Sequence, residues 1–214
     1  MKNLIYIIII IAVQSLLTCV KAQDAAAKLD EAEKSYSSKD LDNARYALQE
    51  ALNEINKAIG KDILDILPTK LSDITCNQKD DNVNGAAGFA GLFVNRSYGT
   101  SDSKNAKIEI MGDSPLLTTI NTMLSMPTIF GSSDPNNKRI KISGYKALLK
   151  KETSERSDPS DTSETKKIQV ITYTIQIPLN QTLLTFHVTG IPAENDVIAL
   201  ANSLPIDKIV KIAE

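Results

Sequence analysis

From Ile171 to Ile177 every second residue is apolar: Ile171, Tyr173, Ile175 and Ile177 fall on one side of an extended chain, and Thr172, Thr174 and Gln176 on the other. A strand has a side-chain period of two and a helix one of 3.6, so this run specifies a strand with one buried face. The strand is expected over Lys167 to Leu179. Asn180-Gln181 turns the chain, and Thr182 to Ile191 repeats the pattern with Leu184, Phe186 and Val188 inward. Thr185 and the sole histidine, His187, face the other way. The chain must therefore build a sheet that is apolar on one side and distinctly less so on the other.

More strands precede this pair. Phe89 to Tyr98 and Ala106 to Met111 read as a hairpin about the Gly, Ser, Asp and Asn residues of 99–105, with Ile108 and Ile110 inward. Arg139 to Ser143 and Tyr145 to Lys151 read as short strands about Gly144. Between these hairpins, Gly112-Asp113-Ser114-Pro115 starts a helix: Asp113 or Ser114 can accept a backbone N–H, and Pro115 suits the first helical position. Its expected inner face is Leu116, Leu117, Ile120, Met123 and Leu124, and it stops before Pro127. Ser132 to Lys138 is expected as a turn. Residues 152–165 hold only Glu, Thr, Ser, Arg, Asp and Pro, a composition that cannot pack and predicts a mobile loop. Pro192 opens a helix over Ala193 to Ser203, and Pro205 to Ala213 gives a shorter one. Hairpin-length connections make the sheet mostly antiparallel, and helices should cover one of its faces.

Residues 24–67 read differently. Ala27, Leu29, Ala32 and Tyr36 recur at helical spacing, Ser37 to Asp40 breaks the run, and Asp40 can cap the next helix. Leu41, Ala44, Leu48, Ala51, Leu52, Ile55 and Ile59 then form one apolar stripe, and the small Ala44, Ala47, Ala51 and Ala58 let two helices approach closely. Gly60 ends this helix or is crossed on the way to Pro68. The pair is similar to a tetratricopeptide hairpin, but it occurs once, and a repeat array needs about three copies. The expected organisation is a helical hairpin at 23–68, a polar linker at 69–88 and an α+β domain at 89–214, its antiparallel sheet covered by helices.

The first 22 residues read as a cleavable secretory signal. Lys2 precedes the uncharged, isoleucine-rich run from Leu4 to Val13, and Val20 and Ala22 stand at the small-residue positions before Gln23. The run is shorter than the roughly 20 apolar residues of a spanning helix. Leu16-Leu17-Thr18-Cys19 resembles a bacterial lipobox, although Thr18 and Leu17 are bulkier than its usual residues. A lipid on Cys19 would tether the domain to a membrane. Removing residues 1–22 takes away Lys2 and Lys21 and no acid, so 24 basic residues become 22 against 26 acidic ones, a net charge of −4. That balance argues against a nucleic-acid binder, which would show clustered Lys and Arg; the pairs Lys150-Lys151 and Lys166-Lys167 that flank a loop read as solvated strand ends. The sequence holds two cysteines, and only Cys76 survives cleavage. The exported fold therefore has no internal disulfide and rests on its core. With Trp absent and aromatics at 5%, that core is built of Ile, Leu, Val and Ala.

Chemistry is sparse. A Ser-His-Asp or Cys-His site would have to use His187, which strand alternation places on the less apolar face. One histidine and one mature cysteine do not furnish a zinc site. Asp80, Asn82, Asn84 and Gly85 match the start of a calcium loop, but the twelfth place is Gly91 and the bidentate acid is missing. Gly85, Gly88 and Gly91 lack the strand-to-helix context of a phosphate cradle. Asn95-Arg96-Ser97 and Asn180-Gln181-Thr182 are glycosylation sequons, of consequence only in a eukaryotic secretory route.

Gly91-Leu92-Phe93-Val94-Asn95-Arg96-Ser97-Tyr98, Ile108-Glu109-Ile110, Asp113-Ser114-Pro115-Leu116-Leu117 and Ile142-Ser143-Gly144-Tyr145-Lys146-Ala147 resemble, over about 85–212, small exported bacterial proteins of unassigned function. Their layout is similar to the Mog1/PsbP α/β/α sandwich. The resemblance implies that fold and a non-enzymatic accessory role, and assigns no site residue. The expected function is that of an exported, non-catalytic binding or accessory protein, periplasmic or extracellular. No cofactor or metal is expected, the partner is another envelope protein, and membrane contact requires lipidation at Cys19. The expected contact surface is Thr172, Thr174, Gln176, Thr185 and His187, with the helical hairpin as a second one. A carrier of a small apolar ligand and a hydrolase using His187 are the alternatives.

Overall fold

The computed structural model describes residues 24–85, 91–100, 104–126, 136–157 and 167–213. The expected signal peptide, with Cys19, lies outside them, as do most of the turn expected at 132–138 and the second half of the loop expected at 152–165. The chain divides into two compact units, Met1–Ala58 and Ile59–Glu214, and the division falls inside a helix.

In the first unit, helix α1 (24–37) and the start of α2 (Leu41–Ile66) form the expected hairpin. Lys39 adopts φ +63° at the turn, and Asp40 caps α2, its Oδ1 accepting from Asn43 N at 3.3 Å. Three of the four alanines expected at a close helix approach are buried, but the bulkier members of the expected stripe are not. Ala32, Ala44, Ala47 and Ala51 are buried, whereas Leu41, Leu48, Leu52 and Ile55 are exposed. Close approach of two helices selects the face that is small, and the bulkier residues beside it turn outward.

In the second unit α2 runs straight through Gly60. Strands β1 (Lys70–Leu71) and β2 (Ile74–Thr75) pair with each other. A seven-stranded sheet comes next: β3 (Asn82–Asn84), β4 (Phe93–Gly99), β5 (Asn105–Gly112), β6 (Asn137–Ile142), β7 (Tyr145–Ser157), β8 (Lys167–Pro178) and β9 (Thr182–Thr189), in spatial order β3-β4-β5-β9-β8-β7-β6. Every pairing is antiparallel. The inward residues are those that alternation selects: Ile108, Ile110, Tyr173, Ile175, Ile177, Leu184, Phe186 and Val188 are all buried. Ile63 of α2 and Leu67 just after it, together with α4 (Glu194–Asn202) and α5 (Ile206–Ala213), complete this core.

Three expectations need correction. Residues 69–84 are not a linker: Leu71 and Ile74 are buried in the core, and β3 pairs with β4. Two apolar residues among many polar ones give no readable period. Glu152–Ser157 are not loop but the end of β7, paired with Thr172 back to Lys167. The ladder hydrogen bonds are independent of composition, so a polar ribbon extends as far as its partner does. Finally, helices lie on both faces. α3 (Leu116–Ser125) runs along β7, β8 and β9. Its buried Ile120 stands outside the main core, as do Leu148 and Leu183 of the sheet's second face. Leu116 and Met123 are exposed, because a helix lying on a sheet buries only one narrow stripe. Its start is entered through Pro115, with Ser114 Oγ 3.4 Å from Leu116 N. Asp113 instead donates its N–H to Gln181 O at 2.7 Å.

Candidate functional site

The second sheet face gathers the five residues that the sequence marks as a contact surface. Cross-strand register opposes Thr172 to Thr189, Thr174 to His187 and Gln176 to Thr185, and all are half-buried. Gly190 N donates to Ile171 O, and Leu179 N to Thr182 O. The hydrogen-bonded pairs of β8 and β9 are therefore the odd residues of β8. The polar pairs occupy the non-hydrogen-bonded positions between them, where side chains approach most closely. Thr174 Oγ1 accordingly lies 3.0 Å from His187 Nδ1, and Thr172 Oγ1 lies 3.1 Å from Thr189 Oγ1.

The row continues onto β5. Lys107 stands directly opposite His187, and Glu109 is its diagonal neighbour. Glu109 Oε2 lies 3.5 Å from His187 Nε2, and Glu109 Oε1 lies 2.5 Å from Lys107 Nζ. The hydrogen bond from His187, then that from Lys107, holds the Glu109 carboxyl down to about 2, against the burial that would raise it. In the neutral imidazole this arrangement places the proton on Nε2, facing the carboxylate, and leaves Nδ1 to accept from Thr174. Sequence reasoning missed Lys107 and Glu109. Their outward direction follows from inward Ile108 and Ile110, but nothing local says that β5 lies beside β9.

Other candidates are dispersed. Asp81 of the calcium-like stretch is committed to Arg96 at 2.6 Å, and Asn82 and Asn84 lie in β3. Among the described residues no group of three or more His, Cys, Asp or Glu is placed to hold a metal. Half-buried Cys76 is a free thiol bridging by its backbone to Tyr98. Asn95 lies inside β4. Among the described residues no helix is long and apolar enough to cross a membrane.

A concavity of about 470 Å³ opens beside the start of β8 and the end of β9, lined by Ile168, Val170, Ile191 and Pro192 with Lys104 and Arg156. In comparisons with known proteins, the chain matches no family model, no curated protein and no solved structure.

Proposed function

We propose that this is an exported, non-catalytic binding or accessory protein of the cell envelope, related in layout to Mog1/PsbP-like domains, whose partner is another envelope protein. The observation that carries the reading is the row Thr174–His187–Glu109–Lys107 on the second face of the sheet. Rigid strands hold it, it is half-exposed, and it offers donors and acceptors in a fixed order. The exposed Leu41, Leu48 and Leu52 of the helical hairpin provide a separate apolar surface for contact.

A hydrolase reading draws on the same row, since hydroxyl, imidazole and carboxylate lie in sequence. Around Thr174 and His187, β5, β9 and β8 are paired on both sides, so among the described residues the backbone N–H groups beside the row are used in the ladders rather than aimed at a developing oxyanion.

A photo-reactive residue at Thr185, in protein made by its own cells, tests the proposal. The expected result is one discrete cross-linked protein that disappears in a Thr174→Ala/His187→Ala variant of unchanged stability. Cross-links from Leu48 but none from Thr185 would move the contact to the hairpin. Ester turnover abolished by His187→Ala would replace the proposal with the hydrolase.

A further inference from the structure

β8 is longer than the strand beside it. Its register with β9 runs only from Thr172 to Pro178, and the last contact beyond it is Gly190 N to Ile171 O at 3.2 Å. There the chain leaves the sheet through Gly190, with φ +79°, and continues through Ile191 and Pro192 to α4. On the far side of β9, β5 begins at Asn105, opposite Thr189, with Lys104 just before it. Beyond Thr189, then, the position that β9 would occupy between β8 and the start of β5 holds no strand among the described residues. This slot is walled by the β9-facing edge of β8, along which a further strand would pair about 4.8 Å away. The 470 Å³ concavity lies there.

The edge of this slot is chemically specific. Because Ile171 O points towards β9, the residues of like parity, Gln169 and Lys167, turn their backbone groups to the same side. Ile168 and Val170 spend theirs on Arg156 and Ser154 of β7. The slot thus offers the N–H of Ile171 and the N–H and C=O of Gln169 to a chain lying antiparallel in it. Ile168, Val170, Ile191 and Pro192 supply an apolar lining, and none of the described lining residues is acidic. Lys104 has an exposed bridge to Asp73 at 3.4 Å, a contact worth little in water that a competing acid can replace.

We propose that this slot binds an extended segment of a partner protein by β-strand addition, with one apolar side chain in the concavity and an acidic residue beside Lys104. Backbone groups in ladder geometry fit another backbone better than they fit a small molecule. The inference shares with the proposed function only the premise that the protein binds another; it uses a different surface and stands if the polar face proves inert.

The test uses the full exported chain and a set of acetylated octapeptides with apolar residues at alternate positions and one Asp or Glu. Amide NMR shifts should centre on Lys167–Ile171 and Gly190, with hydrogen exchange slowed at Ile171 and Gln169. N-methylation of the peptide amide facing Gln169 should weaken binding about tenfold, the worth of one backbone hydrogen bond. Gln169→Pro removes one outward donor and no ladder bond to β7; it should abolish binding with an unchanged melting temperature. Failure of every peptide to shift these amides overturns the proposal. So does binding indifferent to N-methylation, or preferential binding of decanoate, which would make the concavity a site for small apolar acids. A positive peptide result with no cross-link from Thr185 would retain the slot and reject the polar face; the reverse result would reject the slot alone.

Discussion

The Arg96 guanidinium, on the buried face of β4, donates to both carboxylate oxygens of Asp81, with Nη2 2.6 Å from Oδ2 and Nε 3.0 Å from Oδ1. Its Nη1 donates to Leu67 O at 2.9 Å, and Tyr98, two residues on, donates its hydroxyl to Pro68 O at 2.8 Å. The two carbonyls that follow the end of α2 thus take their donors from β4, because a buried carbonyl outside a helix or ladder needs a side-chain partner. The Asp81 carboxylate pushes the guanidinium's affinity for its proton still higher, and burial raises the Tyr98 phenol well above its ordinary range.

Breaking that pair from one side should be costly. Asp81→Ala leaves a buried guanidinium uncompensated, and about 3–5 kcal/mol of stability should be lost. Replacing both partners, Asp81→Leu with Arg96→Met, should recover most of the loss. Urea denaturation of the two variants checks this; equal losses would mean that the ion pair itself, and not the orphaned charge, dominates.

Gly60→Ala should destabilise although alanine favours a helix by about 1 kcal/mol. A β-carbon at this point of α2 would run into Val83 Cγ1 and come within 3.2 Å of Leu92 Cδ1 and Val94 Cγ2. Overpacking of this kind costs about 1–3 kcal/mol. A raised melting temperature would show that β3 yields.

Acid should weaken the fold through Glu109. Its carboxyl sits at about 2, below the ordinary 4.5, so the folded state binds the proton more weakly than the unfolded one. The stability it contributes is present above pH 4.5 and is lost as pH falls towards 2. After allowance for solvent screening of a partly exposed group it amounts to about 1–2 kcal/mol. Denaturant titrations at pH 6 and pH 2.5 should show a smaller difference for Glu109→Gln than for the parent chain.

Ser143 and Gly144 carry φ of +48° and +88° between Ile142 and Tyr145, the geometry of a type I′ hairpin turn. Asparagine tolerates that first position better than serine, so Ser143→Asn should stabilise by about 0.5 kcal/mol. The N–H of residue 143 still reaches Asn202 Oδ1, at 2.7 Å. A drop in melting temperature would mean that this bond constrains the turn more than its dihedral angles do.

Alternation made β4, β5, β8 and β9 legible, and with them the inward rows and the outward direction of Thr174 and His187. Asp40 was legible as a helix cap because capping is settled within three residues. The missed features all depend on distance along the chain. Leu71 and Ile74 fill the core without belonging to any periodic run. Glu152–Ser157 are strand because Lys167–Thr172 lie beside them.

The sequence by itself determined which residues must hide: an amphipathic strand has one apolar side wherever it lies, so the Ile, Leu and Val rows and the α+β class follow from local period and turn chemistry. Only the tertiary structure decided which strands are neighbours. That choice placed Glu109 and Lys107 of β5 against His187 of β9 and set Arg96 on Asp81. Such relationships join segments far apart in the chain, and no local propensity encodes them; they are fixed by which arrangement buries the most apolar surface while leaving every ladder paired.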